Sequence, residues 1–208
     1  MDQNLTRDEK IQKRIFKALQ CIEAGDAEEA AFNIAPAIDV TAKERHKDKT
    51  QVGDRIKAYI YDEEQLIYFF STQGKLSLGD EDHVVIVDYK TDKLIGGHGG
   101  ELADFIYYNI RCAQTHDAEI DKNIDFGRDF GIGRFNFKED GDAPAPGMFI
   151  ISKATVYALI LSVICAPENS RIELPGNITL CNKVQLDRNK LVGNKDYLMT
   201  KLHQLFEV

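Results

Sequence analysis

The chain has 208 residues, a formal net charge of −8 and 43% hydrophobic residues. This length suffices for one domain with its own core, and the composition excludes a disordered chain and a fibrous repeat. No apolar stretch approaches the ~20 residues that a bilayer requires, and the first residues lack the apolar segment of a signal peptide. We therefore expect a cytoplasmic protein that does not bind membranes. The acidic balance also argues against bulk electrostatic binding of nucleic acid.

The first 60 residues have the apolar spacing of helices. The residues from Ile11 to Ile22 predict one buried helical face, and Gly25 and Asp26 mark the end of that helix. Asp26 is also placed to cap a second helix, with Pro36 inside it as a kink, so the two helices should form an antiparallel hairpin. Asp54 predicts the cap of a third helix.

A local basic cluster stands at the end of the second predicted helix. It comprises Lys43, Arg45, Lys47 and Lys49 around His46. One interpretation is a solvated helix end, where cations suit the dipole. The other is an RNA-binding surface, which the charge distribution permits, because residues 1–60 hold 11 cations and 11 acids whereas the acidic excess lies entirely after residue 60.

The middle of the chain mixes short strands with one helix. A β-branched run predicts a small hairpin over about 84–95, and Gly96–Gly100 then interrupts the chain. A helix is expected from Glu101 to about Thr115. The alternation of Phe and Gly with charge over about 124–138 suggests a twisted hairpin or an irregular loop, and residues 140–147 suggest an exposed connection.

The last third contains the most apolar helix. Ser152 should cap a helix over residues 154–165 that has almost no polar face, which predicts the central core helix. Short strands are expected over about 172–193, and Asn194 should cap a final amphipathic helix. The predicted fold is thus one domain, 1–208, of the mainly α class. Its helical core covers about 10–60, 101–116 and 152–166, and the β-rich segments are insertions.

The four cysteines, which include Cys21 and Cys165, are far apart and have no zinc-ligand spacing. We expect all four to be reduced and these two to lie in helix faces of the core. Glycine-rich phosphate loops, catalytic serine elbows and metal-binding helix motifs are also missing from the sequence. The prediction is therefore a protein without a metal or another cofactor.

Arg111 and His116 are the candidate catalytic pair. They stand five residues apart at the predicted end of an amphipathic helix, so their side chains would lie on neighbouring faces. A guanidinium suits phosphate, and an imidazole can exchange a proton near neutral pH. Together they could act on a phosphodiester without a metal. The alternative is that both side chains cap carbonyls or bind acids such as Asp104 and Asp117.

The Arg111-x4-His116 motif resembles that of the HEPN superfamily, whose members are helical bundles found in toxin–antitoxin and abortive-infection (phage-defence) systems. The helix over 33–46 and the helix over 154–165 resemble an early and a final helix of that bundle, and the likeness covers about residues 10–60 and 100–167. The resemblance implies a HEPN-like bundle and a metal-independent endoribonuclease that works as a homodimer.

Carried onto this chain, the resemblance assigns His116 as the general base for a ribose 2′-OH and Arg111 as the group that stabilises charge on the phosphate. Asn109, Cys112 and Asp117 would be supporting residues of the site. An antitoxin or another protein would be a further partner.

Two other functions stay open. The first is a non-catalytic module for dimerisation or binding, which the acidic surface favours, as does Cys112 at a position where the family usually has Asn, Asp or His. The second is a small-molecule or nucleotide-binding protein with Arg111 as phosphate ligand and Gly96–Gly100 as an adaptable loop.

Overall fold

The structure is a computed structural model that describes residues 5–71, 86–88, 93–95, 100–112, 124–129, 132–135, 148–180 and 183–206. It is mainly helical, with a few short strands in small sheets, and this confirms the predicted mainly α class with small β insertions. The helices are α1 (Arg7–Glu23), α2 (Ala27–Arg45), α3 (Val52–Asp62), α4 (Glu64–Ser71), α5 (Gly100–Ile106), α6 (Lys153–Cys165), α7 (Arg188–Leu191) and α8 (Lys195–Phe206). A π-helical segment, Tyr107–Cys112, continues α5, and a 3₁₀ turn, Pro167–Asn169, follows α6.

Capping groups fix the hairpin of α1 and α2 where the sequence predicts it. Thr6 and Glu9 form a capping box at the start of α1. Gly25, with a φ of 85°, takes the left-handed conformation after α1, and the Asp26 carboxylate accepts the Glu29 N–H at 2.9 Å. Pro36 lies inside α2. The two helices pack along each other, as expected for a short connection.

The apolar helix α6 is the centre of the core. The Ser152 hydroxyl accepts the Thr155 N–H at 3.2 Å, which confirms the predicted cap. Nearly every side chain from Thr155 to Cys165 is buried, and α6 contacts α1, α2, α4 and α8. Burial of each Leu, Ile or Val side chain contributes roughly 1.5–3 kcal/mol, so this helix supplies a large part of the folding free energy. The central position predicted for it is confirmed.

Two helical predictions need correction. α3 begins at Val52 after Gln51, so Asp54 lies in the first turn, where its carboxylate still favours the positive end of the helix dipole. The helix predicted from Glu101 to about Thr115 changes at Tyr107 from α to π geometry. Residues 113–120 lie outside the described part of the chain.

The strands form three small sheets. β1 (Ile86–Asp88) pairs antiparallel with β2 (Lys93–Ile95), and β6 (Asn177–Leu180) pairs antiparallel with β7 (Val184–Asp187). Both pairings lie within predicted β segments. Asn194, which precedes α8, accepts the Tyr197 N–H at 3.1 Å and so confirms the last predicted cap.

The third sheet differs from the sequence prediction. β3 (Ile124–Asp125) and β4 (Ile132–Phe135) do not pair with each other as a hairpin. Instead β5 (Met148–Ile151) lies between them, parallel to β3 and antiparallel to β4. A four-residue apolar run such as β5 carries no distinctive period, so the sequence did not reveal this central strand.

Candidate functional site

The segment that carries Arg111 has π-helical geometry. It begins where α5 ends and spans Tyr107–Cys112. Ile106 and Ile110 are both 2% exposed and anchor its inner side in the core, whereas Tyr108 is 59% exposed. Hydrogen bonds from residue i to i+5 widen such a turn, and single π turns occur frequently at functional sites. The predicted catalytic helix end is therefore the most irregular helical segment of the described chain.

The predicted site residues are only partly within the described structure. The backbone of Asn109, Arg111 and Cys112 belongs to the π-helical segment, but their side chains lie outside the described part. His116 and Asp117 lie outside the described residues altogether. The proximity of Arg111 and His116 therefore stays a prediction.

A lysine and two tyrosines lie beside the π-helical segment, and we call them the Lys–Tyr surface (Lys57, Tyr107 and Tyr108). The Lys57 ammonium lies 5.3 Å from the centre of the Tyr107 ring and 5.0 Å from that of Tyr108. The two rings meet edge to face, with centroids 5.3 Å apart. Gly53 makes this packing possible, because a Cβ there would lie 3.0 Å from the Tyr107 hydroxyl.

Asp104 holds the cation of the Lys–Tyr surface in place. Its Oδ1 lies 2.5 Å from Lys57 Nζ, and this hydrogen bond raises the pKa of Lys57 against the opposing effect of burial. Lys57 is therefore charged at neutral pH and interacts with the ring faces. Asp104, one of the acids proposed as a partner for Arg111 in the non-catalytic interpretation, has Lys57 as its partner.

Sequence reasoning missed the Lys–Tyr surface. The consecutive tyrosines shortly before Arg111 were the available signal, but Lys57 is about 50 positions earlier. Only the packing of α3 against α5 and the π-helical segment brings these side chains together.

Arg45 of the basic cluster points into the protein. Its Nη1 lies 2.7 Å from Glu63 Oε1, and its Nε and Nη2 bind the two carboxylate oxygens of Glu168 at 3.0 and 3.1 Å. The guanidinium also lies 4.5 Å from the Tyr59 ring centre. Burial alone would lower the pKa of Arg45, but the hydrogen bonds to Glu168 and Glu63 raise it. The contacts of Arg45 with Glu63 and Glu168 therefore indicate a structural role for this arginine.

The other members of the basic cluster are nearer to solvent. Lys47 pairs with Glu44 at 2.5 Å, and His46 Nε2 lies 3.1 Å from Asp62 Oδ2. Lys43 is exposed, and Lys49 is partly buried. The structure thus does not assemble Lys43, Arg45, Lys47 and Lys49 into one continuous cationic surface, although α2 itself contacts the π-helical segment.

The described residues include neither a metal-binding cluster nor a membrane-spanning helix. They contain no group of three or more His, Cys, Asp or Glu side chains arranged to hold a metal ion. Within the same residues, no helix is both long and apolar enough to span a bilayer.

Comparison with known proteins identifies the family of the chain. The family model described as Rv1289 matches residues 10–204, which is nearly the whole chain. No curated protein and no solved structure shows a significant match.

Proposed function

The chain belongs to the Rv1289 family, and we propose that it is a HEPN-like, metal-independent endoribonuclease. In this proposal His116 removes the proton of a ribose 2′-OH, and the 2′ oxygen attacks the adjacent phosphorus. Arg111 stabilises the charge that develops on the phosphoryl oxygens. The 5′ oxygen leaves with a proton returned by the imidazolium, which yields a 2′,3′-cyclic phosphate and a 5′-hydroxyl end.

The observation that carries the proposal is the π-helical geometry at Arg111. In a π turn, residues five positions apart are joined by the backbone hydrogen bond, and His116 stands five positions after Arg111. The proposal requires this five-residue spacing to bring the Arg111 and His116 side chains together, and His116 itself lies outside the described residues. A phosphodiester could then contact both.

The Lys–Tyr surface supports RNA as the substrate. Exposed aromatic rings stack with unpaired bases, and a nearby cation attracts the backbone. Tyr108 offers an exposed ring, and Lys57 a charged ammonium, on the face where the π-helical segment meets α3. A local surface of this kind is compatible with a net charge of −8, because it does not require a basic protein overall.

The proposal extends to the biological setting that the resemblance implies. The enzyme would be a cytoplasmic homodimer with one Arg111–His116 pair from each subunit at the interface. It would act as a toxin or phage-defence component, with an antitoxin or another protein as partner. Size-exclusion chromatography with light scattering tests the dimer, and a monomer at micromolar concentration contradicts it.

Cleavage of single-stranded RNA in the presence of EDTA tests the activity. We expect the wild type to cleave and His116→Ala to lose the activity by at least about 100-fold, the usual contribution of a general base. Arg111→Ala should lower kcat comparably. If wild type and His116→Ala cleave equally, or if neither cleaves, the catalytic proposal is wrong.

A second experiment tests the role of the Lys–Tyr surface. Tyr108→Ala should raise KM for RNA and leave kcat largely intact, because a stacked base contributes roughly 1–3 kcal/mol to binding. Lys201→Ala is the control, since Lys201 lies 5.8 Å from the Tyr197 ring centre on α8, a helix that does not belong to the Lys–Tyr surface. Equal KM values for both variants would show that the Lys–Tyr surface does not bind RNA.

A non-catalytic binding module is the second candidate function. The large hydrophobic side chains that are exposed in the described residues are Val52, Tyr61 and Tyr108, and all three belong to α3 or the π-helical segment. Exposed tyrosines suit a protein interface, because aromatic residues are enriched there. A dimer without RNA cleavage that becomes monomeric on Tyr61→Glu would favour this function.

A further inference from the structure

A groove of about 610 Å³ runs between α1 and α2 on a side that the proposed ribonuclease site does not use. Its floor is apolar and includes Ile11 from α1 and Pro36, Ala37 and Val40 from α2. Pro36 lacks the amide N–H that would continue the helical hydrogen bonds. Ala37 is small, so the two helices leave space between their outer edges.

One wall of the groove is cationic. Lys10, Lys13, Arg14 and Lys17 all line it from α1, and all four are exposed. Their spacing places them on one side of the helix over about two turns, or roughly 10 Å. Lys17 Nζ lies 3.2 Å from a carboxylate oxygen of Glu29.

Two of these cations have no partner among the described residues. Among the residues that the structure describes, Lys10 and Arg14 form no ion pair and no side-chain hydrogen bond. Four cations in a row are unusual on a chain whose net charge is −8. Because Lys10 and Arg14 are four residues apart on one helix face, their like charges repel each other, and an acidic partner would remove this repulsion.

We propose that the groove binds an acidic amphipathic helix of a protein partner. Apolar side chains of that helix would cover Pro36, Ala37 and Val40, and Asp or Glu side chains at helical spacing would pair with Lys10 and Arg14. The apolar floor favours this ligand over RNA, because phosphates gain nothing from Val40 and the described residues of the lining include no aromatic ring for base stacking. None of the described residues that line the groove belongs to the proposed ribonuclease site, so the inference does not rest on the proposed ribonuclease activity.

Fluorescence anisotropy with designed peptides tests the proposal. The first probe is a labelled peptide of about four helical turns, with Leu along one face and Glu flanking it. A second peptide has Lys in place of Glu, and a third has the composition of the first in an order that destroys the amphipathic pattern. We expect the full-length protein to bind the Glu peptide at least about tenfold more tightly than either of the other two.

Charge reversal makes the test specific to the groove. Lys10→Glu/Arg14→Glu should abolish the preference for the Glu peptide over the Lys peptide, because the two introduced carboxylates balance the charges of Lys13 and Lys17. Val40→Gln should weaken binding of the Glu peptide, because the floor becomes polar. Lys190→Glu is the matched control, since Lys190 is an exposed lysine on α7 that does not line the groove, and it should leave binding unchanged.

Circular dichroism of each variant separates a local effect from unfolding. Equal binding of the ordered and the scrambled peptide would overturn the proposal, and so would a charge-reversal variant that is folded but keeps the wild-type preference. A short single-stranded RNA that displaces the Glu peptide, and that loses its own binding on charge reversal but not in Val40→Gln, would assign the groove to RNA instead.

Discussion

Arg45 and Glu63 form an ion pair of 2.7 Å inside the protein, with 16% and 2% of their side chains exposed. The second carboxylate oxygen of Glu63 lies 2.8 Å from Lys195 Nζ. Glu63 stands between α3 and α4, Arg45 ends α2 and Lys195 begins α8. One buried carboxylate therefore connects three segments that are far apart in sequence.

Glu63→Gln should destabilise the fold strongly. The amide keeps the shape of the side chain but removes the carboxylate that neutralises Lys195 and one of the carboxylates that neutralise Arg45. Removal of one partner from a buried pair costs about 3–5 kcal/mol, and we expect the lower end because Arg45 keeps Glu168. Chemical denaturation measures the change in the free energy of unfolding.

The exposed pair of Lys47 and Glu44 supplies the control for that measurement. Lys47→Ala removes an ion pair of the same charge type at the surface, where it contributes little. We expect no measurable change in the denaturation midpoint. If Glu63→Gln also left the denaturation midpoint unchanged, the ion pairs of the buried carboxylate would not stabilise the fold.

Glu168 should make stability depend on pH in the acidic range. Burial would raise its pKa, but the hydrogen bonds from Arg45, a backbone hydrogen bond and the positive charge of Arg45 together hold the pKa of Glu168 below the ordinary value of 4.5. A carboxylate with a lowered pKa in the folded state stabilises the fold above the unfolded-state pKa. That contribution is lost as the pH falls through the folded-state value.

The stability difference between wild type and Glu168→Gln should therefore be constant near neutral pH and shrink below about pH 4.5. Urea denaturation across this range measures it. Glu173→Gln is the control, because Glu173 is an exposed carboxylate with no ion pair among the described residues. A Glu168→Gln difference that stays constant into the acidic range would contradict this pH linkage.

Local signals in the sequence were sufficient for most of the helical fold. Asp26 and Ser152 cap helices through atoms within three residues of them, so a short window contains all the information that the cap requires. The Lys–Tyr surface and the Glu63 ion pairs are different, because each joins residues that only tertiary packing brings together. A single sequence does not show which distant residues come into contact, so these contacts could be identified only from the structure.

Cys165 should be unreactive in the folded protein. Burial raises the pKa of its thiol to about 12, and the charge of Glu63 adds to this effect. Since the thiolate is the reactive form, iodoacetamide at about pH 8 should leave Cys165 unmodified until the protein unfolds. Mass spectrometry of the peptide that contains Cys165 measures its labelling. Modification at equal rates in native and denatured protein would show that α6 is not buried as described.

Gly193 and Gly25 offer a matched test of two glycines with positive φ. Gly193 has a φ of 66°, and its N–H donates to the Ile164 carbonyl at 2.9 Å, which fixes it against α6. A Cβ at Gly193 would lie 2.6 Å from the Ser170 Cβ, whereas a Cβ at Gly25 would meet nothing within 4 Å. Both substitutions to Ala incur the cost of a left-handed residue, but only one adds a collision.

Gly25→Ala should therefore cost about 1 kcal/mol, the strain of the left-handed conformation alone. Gly193→Ala should cost about 3 kcal/mol, because overlap with Ser170 forces the end of the 3₁₀ turn and the segment before α8 apart. Thermal and urea denaturation of both variants measure the two values under the same conditions. Equal losses would mean that the backbone at Gly193 can move away from Ser170, and the close packing between these segments would then contribute nothing to stability.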